Sequence, residues 1–380
     1  MQFRDLSKQY EILKEQIDMK VQEVCSSAHY IAGTQVKELE AELAKYVGVK
    51  HCISCGNGTD ALTLAIKAWK LGKGDAVFVP DFTFFSSGEC PATEDCTCVF
   101  VDVEEDTYNL NPGKLEIAIR KVLAEKKYRP RAVVAVDLFG QPADYMEIKS
   151  ICEKYNLYLL EDGAQGFGGE ITGRKACSFG DISTTSFFPA KPLGCYGDGG
   201  AVFTNNDEWA ALIRSYAVHG KAGNDKYNNV RLGMNSRLDT IQAAILQVKL
   251  KAFQEYELED INKVAKWYQE EMKSAGLDKK VGLPFVKVGY LSSWAQYTIL
   301  LPEAADRDGI QKAMKERDVP TMIYYMKPMH RQEAFARTDS AEADCPVTEQ
   351  LCKRVLSLPM HPYMTEEQVK EVVNVLVDVL

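Results

Sequence analysis

Residues 186–200 read SFFPAKPLGCYGDGG and place a lysine, Lys191, within a segment of restricted shape. Because Pro192 follows this lysine, the lysine is pushed towards extended or turn conformations and does not continue a helix. The glycines further along allow tight turns and a close approach of the backbone to another group. Apolar runs predict strands on either side, at 182–187 and 200–204. The sequence therefore predicts a lysine held on a shaped loop between two strands.

A second segment, 161–165, reads EDGAQ and closes the apolar run at 157–160. An acid at the end of one strand and a lysine after another suit a pyridoxal phosphate (PLP) site. In such a site the lysine forms an imine with the cofactor, and the acid, here Asp162, pairs with the pyridinium nitrogen. Lysine taken alone is more typical of a solvated surface loop. The combination of Lys191 with Asp162 favours the cofactor site, and Gln165 is placed to hydrogen-bond the cofactor or to lie over its plane.

The bulk properties are typical of a soluble, enzyme-sized protein with more than one domain. The chain has 380 residues, of which 46% are hydrophobic and 26% charged, and its net charge is -9. A chain of this length exceeds the usual size of one core. We therefore expect a large PLP-binding domain at 1–250, including the N-terminal helices, and a smaller α+β domain at 251–380.

The same properties argue against several classes of partner. The acidic balance disfavours a nucleic-acid-binding face and a polybasic membrane anchor. The polar stretch 1–20 does not resemble a signal peptide, and no run of about 20 apolar residues predicts a transmembrane helix. We expect a cytoplasmic protein that binds neither nucleic acid nor membrane.

The eleven cysteines are predicted to be reduced thiols rather than a disulfide framework. Cys52 and Cys55 have the spacing of half a zinc site. However, no pair of histidines completes a tetrahedral set, and the neighbouring residues are apolar. Buried apolar cysteine is the favoured interpretation, and no metal site is predicted.

Short apolar runs alternate with helical patterns along most of the chain, which predicts an α/β fold with a mainly parallel sheet covered on both faces. Further strands are predicted at 51–54, 76–79, 99–103, 132–136, 157–161, 295–301 and 320–324. Helices are predicted at 3–27, 35–46, 60–70, 85–92, 114–126, 143–155, 207–218, 237–275, 307–317, 347–354 and 365–379.

The turn at 56–60 (GNGTD) follows a predicted strand and opens a helix, so its backbone N–H groups and the helix dipole favour a phosphate. An ordinary strand–helix connection explains this turn equally well when it is taken alone. Ser186 either adds a hydroxyl donor to the same phosphate or is a small strand-end residue. After the next strand, Phe84 can stack on a flat pyridine ring while Phe82 and Phe85 fill core volume. The alternative places all three phenylalanines in the core.

Five ordered blocks carry a resemblance to a known family: 57–62 (NGTDAL), 161–165 (EDGAQ), 186–191 (SFFPAK), 197–200 (GDGG) and 231–239 (RLGMNSRLD). They resemble the DegT/DnrJ/EryC1/StrS aminotransferases, PLP-dependent enzymes that aminate keto-sugars attached to nucleotides. The resemblance runs from near residue 3 to the C-terminus. It implies the PLP-dependent transferase fold type I, with a mainly parallel-sheet large domain and a smaller α+β C-terminal domain.

The resemblance also implies roles for individual residues. Lys191 resembles the lysine that holds PLP and acts as the catalytic base, and Asp162 resembles the partner of the pyridinium nitrogen. Some relatives have histidine instead of this lysine and act as sugar dehydratases, so Lys191 argues against that outcome. The other implied cofactor contacts are Gly58, Thr59, Asp60, Phe84, Gln165, Ser186 and Asn235, of which Asn235 reaches the phosphate from the second subunit of a homodimer. The implied substrate contacts are Arg231, Arg237, Tyr324, Tyr325 and His330.

The segments 191–200 and 231–237 are most similar to enzymes that act on UDP-linked N-acetylated sugars. A 3-keto glucuronate-type substrate is therefore expected, with glutamate as amino donor and a role in polysaccharide biosynthesis. A UDP-linked 4-keto-6-deoxy sugar is the alternative. Arg231, Arg237 and Lys327 are candidates for holding the charged nucleotide, or are plain surface charges. A non-catalytic PLP-fold protein with a binding or regulatory function is disfavoured, because a binder needs neither a base nor an electron sink.

Overall fold

The computed structural model describes residues 1–223 and 227–380. Three sheets are present in this part of the chain: a central sheet of seven strands, a small one of three and a pair. The strands are β1 (His51–Cys55), β2 (Asp75–Pro80), β3 (Thr97–Val101), β4 (Arg129–Val136), β5 (Tyr158–Asp162), β6 (Glu170–Ile171), β7 (Arg174–Lys175), β8 (Ile182–Ser186), β9 (Gly200–Thr204), β10 (Tyr290–Leu291), β11 (Tyr297–Leu300) and β12 (Val355–Leu358).

Helices cover and connect these sheets. They are α1 (Leu6–Ser27), α2 (Thr34–Val47), α3 (Gly58–Ala68), α4 (Ser86–Thr93), α5 (Pro112–Glu125), α6 (Tyr145–Tyr155), α7 (Asp207–Tyr216), α8 (Thr240–Ala252), α9 (Leu258–Ser274), α10 (Arg307–Glu316), α11 (Pro346–Arg354) and α12 (Glu366–Val379).

The central sheet confirms the predicted α/β class. Its strand order is β1-β9-β8-β5-β4-β2-β3. The pairs β3–β2, β2–β4, β4–β5 and β5–β8 are parallel, whereas β8–β9 and β9–β1 are antiparallel. The carboxyl ends of β2, β4, β5 and β8 therefore lie at one edge, where ligands gather in open α/β sheets.

Alternate residues of the central strands pack on opposite faces of the sheet. In β2, Val77 and Val79 join a hydrophobic cluster that contains side chains of α3 and α7. Ala76 and Phe78 join a second cluster that contains side chains of α5 and α6. This alternation is what the period of a strand requires when both faces are covered by helices.

The C-terminal region has a hydrophobic core of its own. A cluster whose buried members all lie between residues 261 and 376 packs α9, α10 and α12 around the antiparallel pair β11–β12. The strand predicted at 320–324 is wrong, because only Met322 forms a bridge there, to Ser357. Pro320 has no N–H group to donate, and the chain then turns towards the large sheet. The strand β12, which pairs with β11 and contains Ser357, was not predicted. The domain boundary near residue 250 stays a prediction.

The helix predicted at 237–275 begins later and changes its winding in the middle. Asp239 precedes α8, and a π-helical turn at Phe253–Glu257 separates α8 from α9. A π turn inserts an additional residue and rotates the apolar stripe that follows it. α1 similarly begins at Leu6 rather than at residue 3, because Asp5 caps it by accepting a hydrogen bond from Lys8 N at 2.8 Å. Among the described residues, none of the helices has the length and apolar character needed to span a bilayer.

Candidate active site

The lysine loop is folded back on itself by backbone hydrogen bonds. Phe187 N donates to Gly199 O and Cys195 N donates to Phe187 O, both at 2.7 Å, and Lys191 N donates to Phe188 O at 2.9 Å. A Cβ on Gly194 would lie only 2.4 Å from the oxygen of Pro189, so no side chain fits at this close approach. The predicted loop between two strands is confirmed. Its backbone hydrogen bonds fix the position of the Lys191 backbone, from which the side chain extends.

Asp162 lies at the end of β5 and is only 6% exposed. Ser87 Oγ donates to its Oδ2 at 2.8 Å, and Ala164 N donates to its Oδ1 at 3.2 Å. Burial raises the pKa of the Asp162 carboxyl, whereas the Ser87 hydrogen bond and the charge of Lys191 oppose this rise. Glu161, one residue earlier, points to the other side of the strand, where Phe179 N and Ser183 Oγ donate to it at 2.6 and 2.7 Å.

Within the described part of the chain, Lys191 forms hydrogen bonds through its backbone and none through its amine: its N–H donates to Phe188 O, and its carbonyl accepts from Arg4 Nη2. Burial lowers the pKa of Lys191, the charge of Asp162 opposes this change, and Arg4 adds to the lowering. A lysine with a lowered pKa is more often uncharged, and only the uncharged amine is a nucleophile or a base.

Gln165 is fixed at both ends of its amide. Its Oε1 accepts a hydrogen bond from Phe139 N at 2.7 Å, and its Nε2 donates to the Tyr325 hydroxyl at 3.0 Å. The Tyr325 ring lies 6.4 Å from the ring of Phe84. Phe84 is 55% exposed and Phe82 is 1% exposed, so the alternative that places all three phenylalanines in the core is wrong for Phe84.

The N-terminus of α3 lies directly against the end of β8. The Asn57 side chain caps the helix by accepting a hydrogen bond from Asp60 N at 2.8 Å. A Cβ on Gly58 would lie 2.7 Å from Ser186 Cβ, so glycine is what permits this contact. The first N–H groups of the helix have no intrahelical acceptor and favour an anion. The Thr59 hydroxyl lies 2.9 Å from that of Ser86.

These residues fit PLP by the chemistry of their donors and acceptors. A buried carboxylate (Asp162) suits the pyridine nitrogen, and an amine without a partner (Lys191) suits the aldehyde carbon. The helix N-terminus at Gly58, together with the hydroxyl of Ser186, suits a phosphate. Asp162 is the last residue of β5, Lys191 follows β8, and Gly58 follows β1. The sheet itself therefore brings these three groups together.

Comparison with known proteins identifies the family. The model of the DegT/DnrJ/EryC1/StrS aminotransferase family matches residues 11–377. The chain belongs to this family. It is a PLP-dependent aminotransferase, as the resemblance of its sequence blocks predicted.

Three relatives are similar over nearly their whole length. The chain is 42% identical to UDP-2-acetamido-2-deoxy-3-oxo-D-glucuronate aminotransferase of Pseudomonas aeruginosa, over 97% of this chain and 98% of the relative. It is 38% identical to UDP-N-acetyl-3-dehydro-alpha-D-glucosamine 3-aminotransferase of Acidithiobacillus ferrooxidans, over 98% of this chain and 96% of the relative. It is also 40% identical to a protein of Geobacillus stearothermophilus named pleiotropic regulatory protein, over 97% and 96% respectively.

Solved structures of the DegT/DnrJ/EryC1/StrS family share the fold. An aminotransferase of this family from Brucella abortus has a TM-score of 0.94 and 42% identity, covering 99% of this chain and 98% of its own. A Bacillus subtilis protein solved with the bound cofactor PMP has a TM-score of 0.87 and 27% identity, covering 96% of this chain and 82% of its own. PMP is the aminated form of PLP that a transaminase produces.

The residues expected to serve the partner subunit or the nucleotide are exposed or bonded to residues of their own segment and its neighbours. Asn235 and Arg237 are exposed, and Arg231 donates to Ser215 Oγ with its guanidinium 5.6 Å from the Tyr216 ring centre. Within the described residues, none of these three side chains has a hydrogen bond or ion pair to Lys191, Asp162 or Gln165, which together are called the Lys191 group below. Their predicted roles in a DegT/DnrJ/EryC1/StrS site stay predictions.

His330 is buried beside Asp81, another residue that follows β2. Its Nδ1 lies 2.6 Å from Asp81 Oδ2, and this hydrogen bond raises the pKa of His330. Cys345 is close enough that its sulfur, the imidazole and the Asp81 carboxylate lie within 4.8 Å of one another. The short contact between histidine and aspartate explains the arrangement as a hydrogen-bonded pair, and the role of His330 in substrate binding stays a prediction.

Among the side chains that sequence reasoning missed are two serines that touch predicted cofactor residues. Ser87 donates to Asp162, and Ser86 contacts Thr59. Both serines lie at the start of α4, shortly after Phe84. Two consecutive hydroxyls after a strand end are a usable signal, although serine is common at helix starts for local reasons.

Proposed function

We propose that this aminotransferase converts a UDP-linked N-acetylated 3-keto glucuronate to the 3-amino sugar, with glutamate as the amino donor. The observation that carries this assignment is the 42% identity, across 97% of the chain, to an enzyme named for that keto-sugar. The 38% identical relative is also named for amination at position 3 of a UDP-linked N-acetylated sugar. Both names favour a 3-keto substrate over the alternative, a 4-keto-6-deoxy sugar.

Lys191 has two tasks in this proposal. When bound, PLP supplies an electron sink for the pair of electrons left on a substrate carbon when its proton is removed. Lys191 Nζ would hold the cofactor between turnovers, and its amine would be free to act as a base once the amino donor is bound. The free amine would take the proton from the α-carbon of glutamate, and the bound cofactor would accommodate the electrons left behind. With the keto-sugar, it moves a proton in the opposite direction, to C3 of the sugar.

Asp162 and Gln165 hold the geometry that this proton transfer needs. Asp162 keeps the pyridine nitrogen protonated, and the Ser87 hydroxyl fixes the direction of its carboxylate at 2.8 Å. The Gln165 amide cannot rotate freely, because Phe139 N and the Tyr325 hydroxyl hold its two ends. A fixed site loses little freedom when the reaction occurs.

The proposal includes a homodimer in which Asn235 of one subunit completes the phosphate site of the other. Asn235 is exposed and, among the described residues, makes no hydrogen bond with the Lys191 group. The same loop exposes apolar side chains, with Val230 at 53% and Leu232 at 93%. Adjacent exposed apolar groups favour a protein contact. Arg231 lies on this loop and is a candidate for binding the charged nucleotide of the substrate. Arg237 and Lys327 are the other two candidates that the sequence predicted.

We place the reaction in the cytoplasm, as a supply of amino sugars for polysaccharide biosynthesis. All eleven cysteines are free, and ten of them are buried. Free thiols in this number are typical of proteins from a reducing compartment.

A panel of keto-sugars tests the substrate. Protein loaded with PLP is treated with glutamate, and the visible absorbance of the cofactor and the release of 2-oxoglutarate are followed. We expect glutamate to bleach the absorbance and the UDP-linked 3-keto glucuronate to restore it fastest. Faster recovery with a UDP-linked 3-keto N-acetylglucosamine or with a 4-keto-6-deoxy sugar would reassign the substrate within the same class.

The same assay separates catalysis from a regulatory function, which the name of the 40% identical relative makes relevant. An absorbance that no amino donor changes would contradict transamination. Lys191→Ala is the control: it should bind PLP without a covalent bond and show no turnover. Normal turnover by this variant would refute the assignment of the base.

A further inference from the structure

The segment before α1 connects two distant parts of the molecule. Met360 N donates to Phe3 O at 3.0 Å, which ties this segment to the chain after β12. The Phe3 ring lies 6.4 Å from the Tyr324 ring in an edge-on arrangement. Asp5 then caps α1. Arg4 lies between two anchored residues, so its backbone position is set from both sides.

The Arg4 side chain reaches the backbone of the catalytic lysine. Its Nη2 donates to the carbonyl oxygen of Lys191 at 3.0 Å. Its Nη1 is buried and has no hydrogen-bond partner within the described residues. No carboxylate of the described part of the chain forms an ion pair with this guanidinium. Arg4 is thus a half-buried cation, with one guanidinium nitrogen fully enclosed, that is bonded to the residue on which the reaction depends.

The charge of Arg4 is balanced only in part. Burial lowers the pKa of Arg4, and Glu257 opposes this change. Glu257 is 3% exposed and accepts hydrogen bonds from Gln9 Nε2 at 2.8 Å and from the Tyr363 hydroxyl. The carboxylate is therefore already shared between two donors.

Two more basic side chains, Lys249 and His361, lie in the same region. Lys249 on α8 is 1% exposed, and burial lowers its pKa to about 8, with Glu257 opposing and Arg4 adding to the lowering. His361 is 5% exposed, and burial lowers its pKa to about 4, to which the charge of Arg4 also contributes. Each positive charge in this buried region disfavours the next, and the lowered pKa leaves His361 uncharged near neutral pH.

We propose that Arg4 is a positioning residue for Lys191: it fixes the backbone of the lysine, and its positive charge favours the uncharged form of the lysine amine. Asp162, at the end of β5, acts in the opposite direction. The balance between a cation before α1 and an anion on the sheet then determines how readily Lys191 accepts a proton. This inference rests on the proposed role of Lys191 as the base.

Three substitutions separate the hydrogen bond from the charge. Arg4→Gln keeps an N–H donor for the Lys191 carbonyl and removes the charge. Arg4→Lys keeps the charge, and Arg4→Met removes both. Lys8→Gln is the matched control, since Lys8 is an exposed cation in the first turn of α1, with 49% of its side chain accessible.

The first measurement uses cofactor-free protein. Lys191 is acylated with an amine-selective reagent across a pH series, and the labelled peptide is quantified by mass spectrometry. We expect Arg4→Gln and Arg4→Met to move the midpoint of labelling up by about one pH unit, the usual effect of removing a nearby like charge. Arg4→Lys and Lys8→Gln should keep the wild-type midpoint.

The second measurement is hydrogen–deuterium exchange of the loop at 187–199. We expect faster exchange, by roughly tenfold, in Arg4→Met and near wild-type exchange in Arg4→Gln, which corresponds to the loss of one hydrogen bond. Equal midpoints in Arg4→Gln and Arg4→Lys would show that the charge has no role. Unchanged exchange in Arg4→Met would show that the anchor has none.

Neither readout involves PLP or a sugar. A failure of the aminotransferase proposal therefore appears in the glutamate assay, and a failure of this inference appears in the labelling midpoint or the exchange rate.

Discussion

The two charged residues of the site are surrounded in very different ways. Asp162 receives hydrogen bonds from Ser87 Oγ and Ala164 N, whereas the amine of Lys191 has no partner among the described side chains. Hydrogen-bond donors favour the ionised form of the carboxyl, which can pair with a cation. An amine without acceptors more readily loses its proton, and the neutral amine is the reactive form. The sequence predicted both residues but not Ser87, because only the fold brings a serine of α4 to the end of β5.

Ser87→Ala tests the support of Asp162. Loss of a hydrogen bond to a charged group costs about 1.5–3 kcal/mol, so we expect PLP to bind roughly tenfold more weakly or worse. Titration of cofactor-free protein with PLP measures this. Thr93→Val on the same helix is the control, since the Thr93 hydroxyl donates within its own helix, to Cys90 O at 3.0 Å. An affinity within twofold of wild type for Ser87→Ala would contradict the role.

At the scale of elements, periodicity predicted the central sheet well and the C-terminal region less well. The strands β1, β2, β4 and β5 are short buried apolar runs bounded by turns, and such runs read clearly. β12 was missed because its four residues continue directly from α11, with no turn between them. The π turn at 253–257 was missed because the apolar stripe continues through it in sequence while the backbone changes its winding.

The phosphate site was predicted from the turn at 56–60. The close contact at this site, however, is made between two packed elements, the start of α3 and the end of β8. A Cβ at Gly58 would lie 2.7 Å from Ser186 Cβ and 3.4 Å from Ser186 Cα, so α3 and β8 touch there without a gap. Separation in sequence hides this contact, since the two residues are on different elements.

Gly58→Ala should push the N-terminus of α3 away from β8. Overpacking of this kind costs about 1–3 kcal/mol in the free energy of unfolding, and we expect PLP affinity to fall at least about tenfold as well. Denaturant unfolding and PLP titration measure the two effects. At Gly72, by contrast, an added Cβ meets only Glu94 O at 3.5 Å, so Gly72→Ala should change neither. Unaltered PLP binding by Gly58→Ala would show that the anion site lies elsewhere.

At the scale of the whole molecule, one chain contains the Lys191 group but leaves Asn235 exposed. The predicted homodimer reconciles the two observations, because a twofold arrangement lets each subunit complete the other's site. Nothing in a single sequence specifies which copy a residue serves; the resemblance to the family supplied that expectation.

Mixing two defective variants tests the shared site. Lys191→Ala and Asn235→Ala should each be strongly impaired, but a mixed dimer has one site with both residues intact. After subunit exchange we expect about a quarter of wild-type activity, since half of the dimers are mixed and half of their sites are complete. Lys191→Ala mixed with Asp162→Ala is the control and should stay inactive, because both residues serve their own subunit's site and every site of a mixed dimer then carries one defect. No recovery in the first mixture would place Asn235 in its own subunit's site or outside it.

The uneven exposure of the thiols gives a ready probe for that exchange. Cys25, on α1, is exposed, while the other ten cysteines are buried. Burial raises the pKa of several of them, Cys90 and Cys152 to about 12, so their reactive thiolate is scarce at neutral pH. A maleimide dye should therefore attach to the native chain at one position. Donor- and acceptor-labelled batches would then report subunit mixing by energy transfer, without any engineered cysteine.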